Sequence, residues 1–502
     1  MTIPMFVWLI WLPLLLSPLV YLVGRLLSKR AAQGTALLGL LATWWPFVLV
    51  WKQTVWKQTV WQQTNEPAFT LGQVTLRLDG VSLLVTAVVL ILATLITLYS
   101  DTTLDSVSGA EKYYAMLLAM CGSMIGLSCA TDLFNLWLWF EATAVTSYLL
   151  VAFYRDQSAS LEAGVKYLVQ SVTGSVLVLF GVALVLAQTG TLTLATIREQ
   201  ATTSPLLVAA SALFVIGFGV KIAIVPLHTW LPDAHAQAPS GISALLSGIV
   251  IETGFIALLR TIAALVDVTS SWGLLLLGLG GLNMLAGNLL ALPQTQVKRL
   301  LAFSSISHIG YMLTGVGIAV YSGEVMGAQG SLFHLLTHGL MKGLAFLAAG
   351  ALLYGLHTAV NDHTPLTINE LSGTAWRYPL VTVALMLALL GLGGIPPLAG
   401  FMSKWQILLA GMATGQAVII GFVAFAAGNS VLSLAYYVPF IQVTFRRDLS
   451  SAVQGGRPLP LSMNLPILLL AAAVVIIGLW PGLVSGLTQG AGQALLSVIS
   501  GQ

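Results

Sequence analysis

Apolar stretches of about 20 residues, separated by short polar segments, recur from one end of this chain to the other. A helix of that length crosses the hydrocarbon core of a bilayer. The pattern therefore predicts an all-α polytopic membrane protein with about fourteen transmembrane helices. The predicted spans are residues 4–24, 31–51, 80–100, 112–131, 133–153, 162–187, 205–225, 240–261, 271–292, 299–320, 328–355, 378–410, 415–443 and 463–486.

Proline interrupts the apolar run at the end of the seventh span and within the twelfth, and a lysine lies near each interruption. Pro226 precedes the polar segment LHTWLPDAHAQ, and Pro396 and Pro397 divide LGLGGIPPLAGF. Proline removes a backbone donor and clashes with the preceding turn, so each helix should break there. A broken helix in each half of the chain is typical of transporters built from inverted repeats. Two inverted five-helix repeats are therefore predicted.

The repeats and the broken helices divide the chain into four predicted segments. Spans 1–3 and an outer-face loop come first, the first inverted repeat holds spans 4–8, and the second holds spans 9–13. A cytoplasmic loop and the last span follow. The predicted boundaries of the four segments are 1–110, 111–262, 263–445 and 446–502.

Composition agrees with a membrane protein and excludes several other classes. Of the 502 residues, 57% are hydrophobic and 7% are charged, against about 25% charged in soluble domains. The net charge of +3 is too small to indicate a nucleic-acid partner. Cys121 and Cys129 lack the clustered spacing of zinc or iron–sulfur ligands, and no glycine-rich nucleotide motif follows a strand. No metal and no redox cofactor is expected on this chain.

The distribution of basic residues predicts the orientation. With the N-terminus outside, the cytoplasmic loops hold eleven lysines and arginines and the opposite side holds five. This bias fits the positive-inside rule and places both termini on the outer or lumenal side. Basic residues follow the first apolar run and none precedes it, which argues against a cleaved signal peptide. The segment FTLGQVTLRLDG alternates like a short outer hairpin, and the preceding VWKQT repeat of residues 50–64 is assigned no chemistry.

Titratable residues within the predicted spans are the candidate functional groups. A charge at membrane depth is costly unless it is paired or hydrated, and such residues commonly lie on ion pathways. A simple buried ion pair is the structural alternative. Glu141 and Lys221 are expected to form a pair that opens and closes as protons arrive. The candidates are Glu141, Lys166, Lys221, Glu252, His308, His334, His338, Lys342 and Lys404, with His228 in the broken segment.

Three of these candidates lie in the eleventh span at spacings of four residues. His334, His338 and Lys342 therefore share one helical face. Proton hopping needs such a series of titratable groups, with water between them. Polar packing between helices is the alternative interpretation. A zinc site is a weaker one, because the two histidines have no evident third ligand and the lysine adds positive charge.

Four ordered motifs resemble the antiporter-like membrane subunits of complex I and their relatives in Mrp antiporters and membrane-bound hydrogenases. The motifs are KIAIVPLHTWLPDAHAQAPSGISALLSG, VKRLLAFSSISHIGYM, HLLTHGLMKGLAF and GIPPLAGFMSKW, and the resemblance covers about residues 75–445. It implies that Glu141 and Lys221 belong to an input half-channel. It implies that His334, His338 and Lys342 form a central relay, and that Lys404 ends an output half-channel.

The sequence departs from this family pattern at two positions. Glu252 stands where many relatives carry a lysine, and Gln296 stands where an acidic residue is common. We expect Glu252 to form an ion pair with Lys221 or to relay a proton between Lys221 and His334. A silent, protonated carboxyl group is the alternative.

The resemblance implies a proton-translocating membrane-arm subunit driven by electron transfer in partner subunits. NAD(P)H or ferredoxin, iron–sulfur clusters and quinone would then belong to those partners. An Mrp-type cation/proton antiporter subunit, a subunit of a complex serving CO2 uptake, and a structural membrane spacer are the alternatives. The expected location is a bacterial cytoplasmic membrane or a thylakoid membrane.

Overall fold

The computed structural model describes residues 4–55, 67–72, 74–104, 108–357 and 364–500. Most of the VWKQT repeat lies outside these described residues. The N-terminal helices are α1 (Trp8–Leu26), α2 (Lys29–Val55), α3 (Gly80–Thr103), α4 (Ala110–Cys129), α5 (Leu133–Val151), α6 (Ser158–Thr189) and α7 (Leu194–Gln200). The central helices are α8 (Pro205–Ile222), α9 (Trp230–Gln237), α10 (Ser240–Leu245), α11 (Ile251–Ala264), α12 (Trp272–Ala291), α13 (Val297–Ser322) and α14 (Val325–Leu356). The C-terminal helices are α15 (Thr374–Arg377), α16 (Pro379–Gly393), α17 (Ala399–Ala413), α18 (Ala417–Thr444), α19 (Ser451–Gly455), α20 (Leu461–Leu479) and α21 (Gly482–Ser500).

The structure confirms a helical membrane protein but not the count of fourteen spans. In the described part of the chain, eleven segments are long and apolar enough to cross a membrane. One of them runs from α10 into α11 through a π-helical turn at Leu246–Val250. The other three predicted spans correspond to α4, α5 and the α16–α17 pair, which are not among the eleven.

The helices that carry most of the candidate residues form the buried centre of the molecule. In the apolar stretch of the α10–α11 segment, 100% of the residues are buried, and in those of α13 and α14 the buried share is 94% and 89%. In the apolar stretches of α1 and α18 only 33% and 28% of the residues are buried, so these helices form the periphery. Titratable groups on the central helices are therefore shielded from the lipid by protein.

Both predicted helix breaks are present. α8 ends at Ile222, and residues 223–229, which include Pro226, separate it from α9. The indole Nε1 of Trp230 donates to the carbonyl of Val220 at 2.7 Å, which satisfies one of the acceptors freed by the break. α16 ends at Gly393, and Gly394 adopts a φ of 81°, a left-handed conformation that glycine accepts without strain. α17 begins five residues later, at Ala399.

The predicted hairpin is also present. Strands β1 (Ala68–Leu71) and β2 (Val74–Arg77) pair antiparallel, with Phe69 opposite Leu76. Leu76 also bridges to Ala130, directly after α4. We call this side of the molecule, where α3, α5 and α14 begin and α11 ends, the hairpin face. The opposite side is the loop face.

The C-terminal end differs from the prediction. The expected last span of residues 463–486 is divided, because α20 ends at Leu479 and Pro481 precedes α21. α21 packs across the hairpin-face ends of α3 and α14. A side chain at Gly80 would meet the backbone of Gly490 at 2.5 Å, so the two helices approach as closely as backbones allow. The proposed domain boundaries at 110, 262 and 445 remain predictions.

Candidate functional site: a row of buried titratable side chains

Lys221 lies at the last turn of α8, directly before the helix breaks. The residue is 2% exposed, and its Nζ donates to the Tyr167 hydroxyl at 2.6 Å. The Tyr167 ring stacks on Trp230 with centroids 3.9 Å apart, which fixes the position of the hydroxyl. The lysine stem runs beside Gly254 of α11, where a Cβ would lie 2.9 Å from Cγ of Lys221.

Glu141 does not form the predicted ion pair with Lys221. Among the described residues no contact within 4.0 Å joins the two groups, and Glu141 Oε1 has no hydrogen-bond partner there. Glu141 is half-buried, between the exposed side chains of Leu138 and Val145 on α5. The preceding residue, Phe140, packs against Phe218 of α8 with ring centroids 5.2 Å apart, so α5 and α8 are in contact one turn before Lys221. The structure therefore shows no closed pair, and the opening and closing of the pair stays a prediction.

Lys166 is not buried as expected, because its side chain is 48% exposed. Its Nζ contacts Glu162 at 2.8 Å and Asp233 at 3.1 Å, and Asp233 also binds Arg299 at 2.5 Å. These charges form a partly exposed network that ties α6 and α13 to α9. His228 is half-buried, and its ring centroid lies 6.3 Å from that of Phe303. In the described part of the chain, neither Lys166 nor His228 forms a hydrogen bond, ion pair or ring contact with the central histidines described next.

Three histidines meet where α13 crosses α14. His308 Nδ1 and His334 Nε2 lie 3.0 Å apart, within hydrogen-bonding distance. The His308 ring centroid is 5.0 Å from that of His338 and 5.2 Å from that of His334. His334 Nδ1 lies 2.9 Å from the Ser403 hydroxyl of α17. This cluster, His308, His334 and His338, is called the histidine triad.

Glu252 pairs with His338 of the triad, so the expected ion pair with Lys221 is absent, whereas the expected proton relay between Lys221 and His334 stays a prediction. Its Oε1 lies 2.6 Å from His338 Nδ1, and both side chains are 0% exposed. The reason is geometric: α11 presents Gly254 to Lys221 and Glu252 to α14, since residues two apart on a helix point in different directions. The carboxylate therefore extends the histidine triad by one titratable group.

The two remaining lysines lie on different sides of the triad. Lys342 Nζ donates to the Leu301 carbonyl at 2.8 Å and to the Ser304 hydroxyl, both near the loop-face end of α13. Lys404 Nζ donates to the Leu392 carbonyl at 2.7 Å and to Ser430 at 3.0 Å.

The Lys404 ammonium also lies 4.5 Å from the centroid of the Tyr311 ring. That ring is 5.8 Å from the ring of His334. Tyr311 therefore separates Lys404 from the triad and contacts both. We call Glu252 and the histidine triad together the row. The row reaches Lys404 across the Tyr311 ring, without a charged group in between.

Sequence reasoning had given His308 only a secondary role and had missed Tyr167, Tyr311 and Ser403. The sequence does contain a signal for His308 and Tyr311. Ser304, His308 and Tyr311 are spaced i, i+4, i+7, so they share the face of α13 that meets α14. The contribution of Tyr167 carries no such signal, because it depends on how α6 packs on α8 and α9.

The row can pass a proton and offers no metal site in the described ranges. Neighbouring imidazole, carboxyl and hydroxyl groups within 2.6–3.0 Å can donate and accept in turn. No group of three His, Cys, Asp or Glu side chains among the described residues is placed to hold a metal ion. Cys121 and Cys129 are buried free thiols.

Known proteins match this chain over most of its length. The family described as NADH:quinone oxidoreductase/Mrp antiporter, TM, matches residues 130–430. NADH-quinone oxidoreductase subunit N of Heliobacterium modesticaldum is 32% identical, over 81% of this chain and 83% of that protein. Hydrogenase-4 component B of Escherichia coli is 33% identical over 82% of this chain, but the match spans only 63% of that protein.

A solved structure extends the likeness to the whole chain. A chain of the membrane-bound sulfane sulfur reductase, an archaeal respiratory membrane complex, superimposes with a TM-score of 0.86. The identity is 26%, and the alignment covers 99% of this chain and 98% of that one.

Proposed function

The chain belongs to the NADH:quinone oxidoreductase/Mrp antiporter family of membrane proteins, and from this we propose that it translocates protons as one membrane subunit of a complex I-type assembly. The observation that carries the proposal is the fully buried row formed by Glu252 and the histidine triad. Titratable groups in continuous contact inside a membrane protein are expensive unless they move charge. Redox cofactors and their substrates are assigned to partner subunits.

The proposed path follows two hydrogen bonds of the row and one ring contact. A proton shared by Glu252 and His338 crosses to His308, whose ring centroid lies 5.0 Å from that of His338, and then passes to His334, whose Nδ1 contacts Ser403. Lys404 lies beyond Tyr311 and responds to the positive charge as it approaches. Lys221 and Glu141 act as the corresponding charge pair at the other broken helix.

Lys342 lies one helical turn from His338 on α14 and belongs to the proposed relay, so its substitution tests the proposal. Lys342→Ala removes the buried ammonium that holds α14 to Leu301 and Ser304, and proton pumping should fall at least about tenfold while the complex assembles. Ser331→Ala is the matched control, because Ser331 is a buried polar residue of α14 that bonds to Met312 outside the row. Normal pumping by a fully assembled Lys342→Ala complex would remove α14 from the proton path.

We further propose that the hairpin face is the outer or lumenal side, which the distribution of basic residues supports. Cysteines at two exposed positions test this orientation in sealed vesicles. Thr70→Cys in β1 should react with an impermeant thiol reagent only from outside, and Ser451→Cys in α19 only from the cytoplasmic side. The reverse pattern would contradict the orientation. It would leave the proton-translocation proposal intact.

A further inference from the structure

A cavity of about 570 Å³ lies on the hairpin face, away from both broken helices. Its walls come from β2, the α4–α5 junction, α7, the last turns of α11, and α21. Charged groups of both signs line it: Arg77, Asp79, Asp132, Arg198, Glu199 and Arg260. None of these residues belongs to the row of titratable side chains.

An ion pair holds one wall of the cavity. Arg260 of α11 contacts Asp79 at 2.9 Å and also donates to the Ser128 carbonyl, with both charged side chains largely buried. Burial by itself raises the pKa of Asp79, but the charge of Arg260 and hydrogen bonds from Ser82 lower the pKa below its usual value. The pair therefore stays ionised at neutral pH. A cavity of this volume with charged walls has the room and the polar partners that ordered water needs.

Three apolar residues that line the cavity, Val81, Ile256 and Leu332, lie on α3, α11 and α14. Two of these helices, α11 and α14, also carry Glu252 and His338. Ile256 is one helical turn from Glu252, a rise of about 6 Å. Leu332 precedes His338 by six residues on α14, a rise of about 9 Å.

Two polar atoms of the row have no hydrogen-bond partner among the described residues. Glu252 Oε2 and His338 Nε2 are fully buried and make no hydrogen bond to any residue that the structure describes. Buried polar groups in folded proteins are normally satisfied by protein or by water. These two atoms belong to residues of α11 and α14, the helices that also carry Ile256 and Leu332.

We propose that this cavity is a water-filled outlet that joins the Glu252–His338 pair to the hairpin face, with Val81, Ile256 and Leu332 as an apolar barrier about one helical turn thick. When the barrier opens, water reaches Glu252 Oε2 and carries a proton into the cavity. The inference rests on the proposed function, because it assumes that the row carries protons. It adds an exit through the first half of the chain to the one that the family resemblance implies at Lys404.

Cysteine accessibility tests the barrier independently of pumping. The native complex, in sealed vesicles with the hairpin face outward, is treated during turnover with an impermeant cationic methanethiosulfonate. Ile256→Cys should be modified at least about tenfold faster than Leu258→Cys. Leu258 is the matched control, because it is equally buried on α11 but does not line the cavity. The unsubstituted complex gives the background of the two native cysteines.

A second pair of variants covers the case in which Ile256→Cys does not assemble. Val81→Cys lines the cavity, whereas Leu84→Cys, one turn along α3, is buried outside it. Equal modification rates within the assembled pair would overturn the outlet. If Lys342→Ala pumps normally while Ile256→Cys still reacts rapidly, the proposed function fails and the water-filled cavity stands.

Discussion

The two broken helices place a lysine beside a break in the same way, but they hold it by different means. Lys221 donates to one phenol, that of Tyr167, and α8 contacts the helix that carries Glu141 through Phe218 and Phe140. Lys404 donates to Ser430 and to the carbonyl of Leu392, and its charge faces the Tyr311 ring. No carboxylate in the described part of the chain forms an ion pair with Lys404.

The difference shows that the free carbonyls at the end of a broken helix can act as partners of a charged side chain. The last carbonyls of a helix lack intrahelical donors and carry partial negative charge. Leu392 lies in the last turn of α16, so the broken helix itself supplies an acceptor to Lys404. At the first break the freed carbonyl of Val220 is taken by Trp230 instead. Lys221 therefore depends on side chains from other helices, and Lys404 depends largely on backbone.

The largest effect is expected when the charge acting on Lys221 is removed. Glu141→Gln should lower pumping about tenfold, the equivalent of about 1.4 kcal/mol of lost charge–charge interaction. Pumping is measured in reconstituted complexes of equal subunit content. Glu162→Gln is the control, because this carboxylate of α6 is 67% exposed and pairs with Lys166. Equal effects of the two substitutions would show that Glu141 acts only as surface charge.

A smaller effect should distinguish the two tyrosines. Tyr167→Phe removes the hydroxyl that accepts from Lys221, and pumping should fall about fivefold, the equivalent of about 1 kcal/mol. Tyr311→Phe keeps the ring under Lys404, and its lost hydroxyl donates to the Ala426 carbonyl and not to the lysine. Less than about a twofold change is expected there. The comparison of the two lysines would be wrong if Tyr311→Phe were the more damaging substitution.

The smallest effect is expected at Ser430. Ser430→Ala removes one acceptor from Lys404 and leaves the Leu392 carbonyl in place. Pumping should change by less than about twofold, because the backbone acceptor is untouched. A loss as large as that of Tyr167→Phe would mean that the carbonyl end of α16 does not hold the lysine. Subunit content measured by immunoblot separates this outcome from failed assembly.

The broken helices, the hairpin and the helical membrane fold could be predicted from the sequence, because each corresponds to a pattern of neighbouring residues. Proline within an apolar run marks Pro226 and Pro396, and strict alternation marks the hairpin. Pro481 left the same kind of trace inside the predicted last span, where it was overlooked, and it separates α20 from α21. Proline alone does not decide a break, however, because Pro13, Pro46 and Pro439 lie inside continuous helices.

The partners of the titratable groups could not be predicted in the same way. Glu252 and His338 are separated by 86 residues, and His308 and His334 by 26. Their contacts depend on the rotation of α11, α13 and α14 about their own axes. A rotation of one residue, about 100°, would have turned Glu252 toward a different helix. Helix spacing identified which residues are titratable and buried, and packing decided which of them meet.

The close approach of three imidazoles limits how many excess protons the triad can hold. Ring centroids in the histidine triad are 5.0–6.1 Å apart. Two positive charges at about 5 Å repel by about 3 kcal/mol at an effective dielectric of 20. Double occupancy of the triad is then suppressed more than a hundredfold relative to independent sites, by about RT ln 100 = 2.7 kcal/mol. We therefore expect the triad to hold one excess proton at a time, so that each cycle of this subunit delivers a single, whole charge.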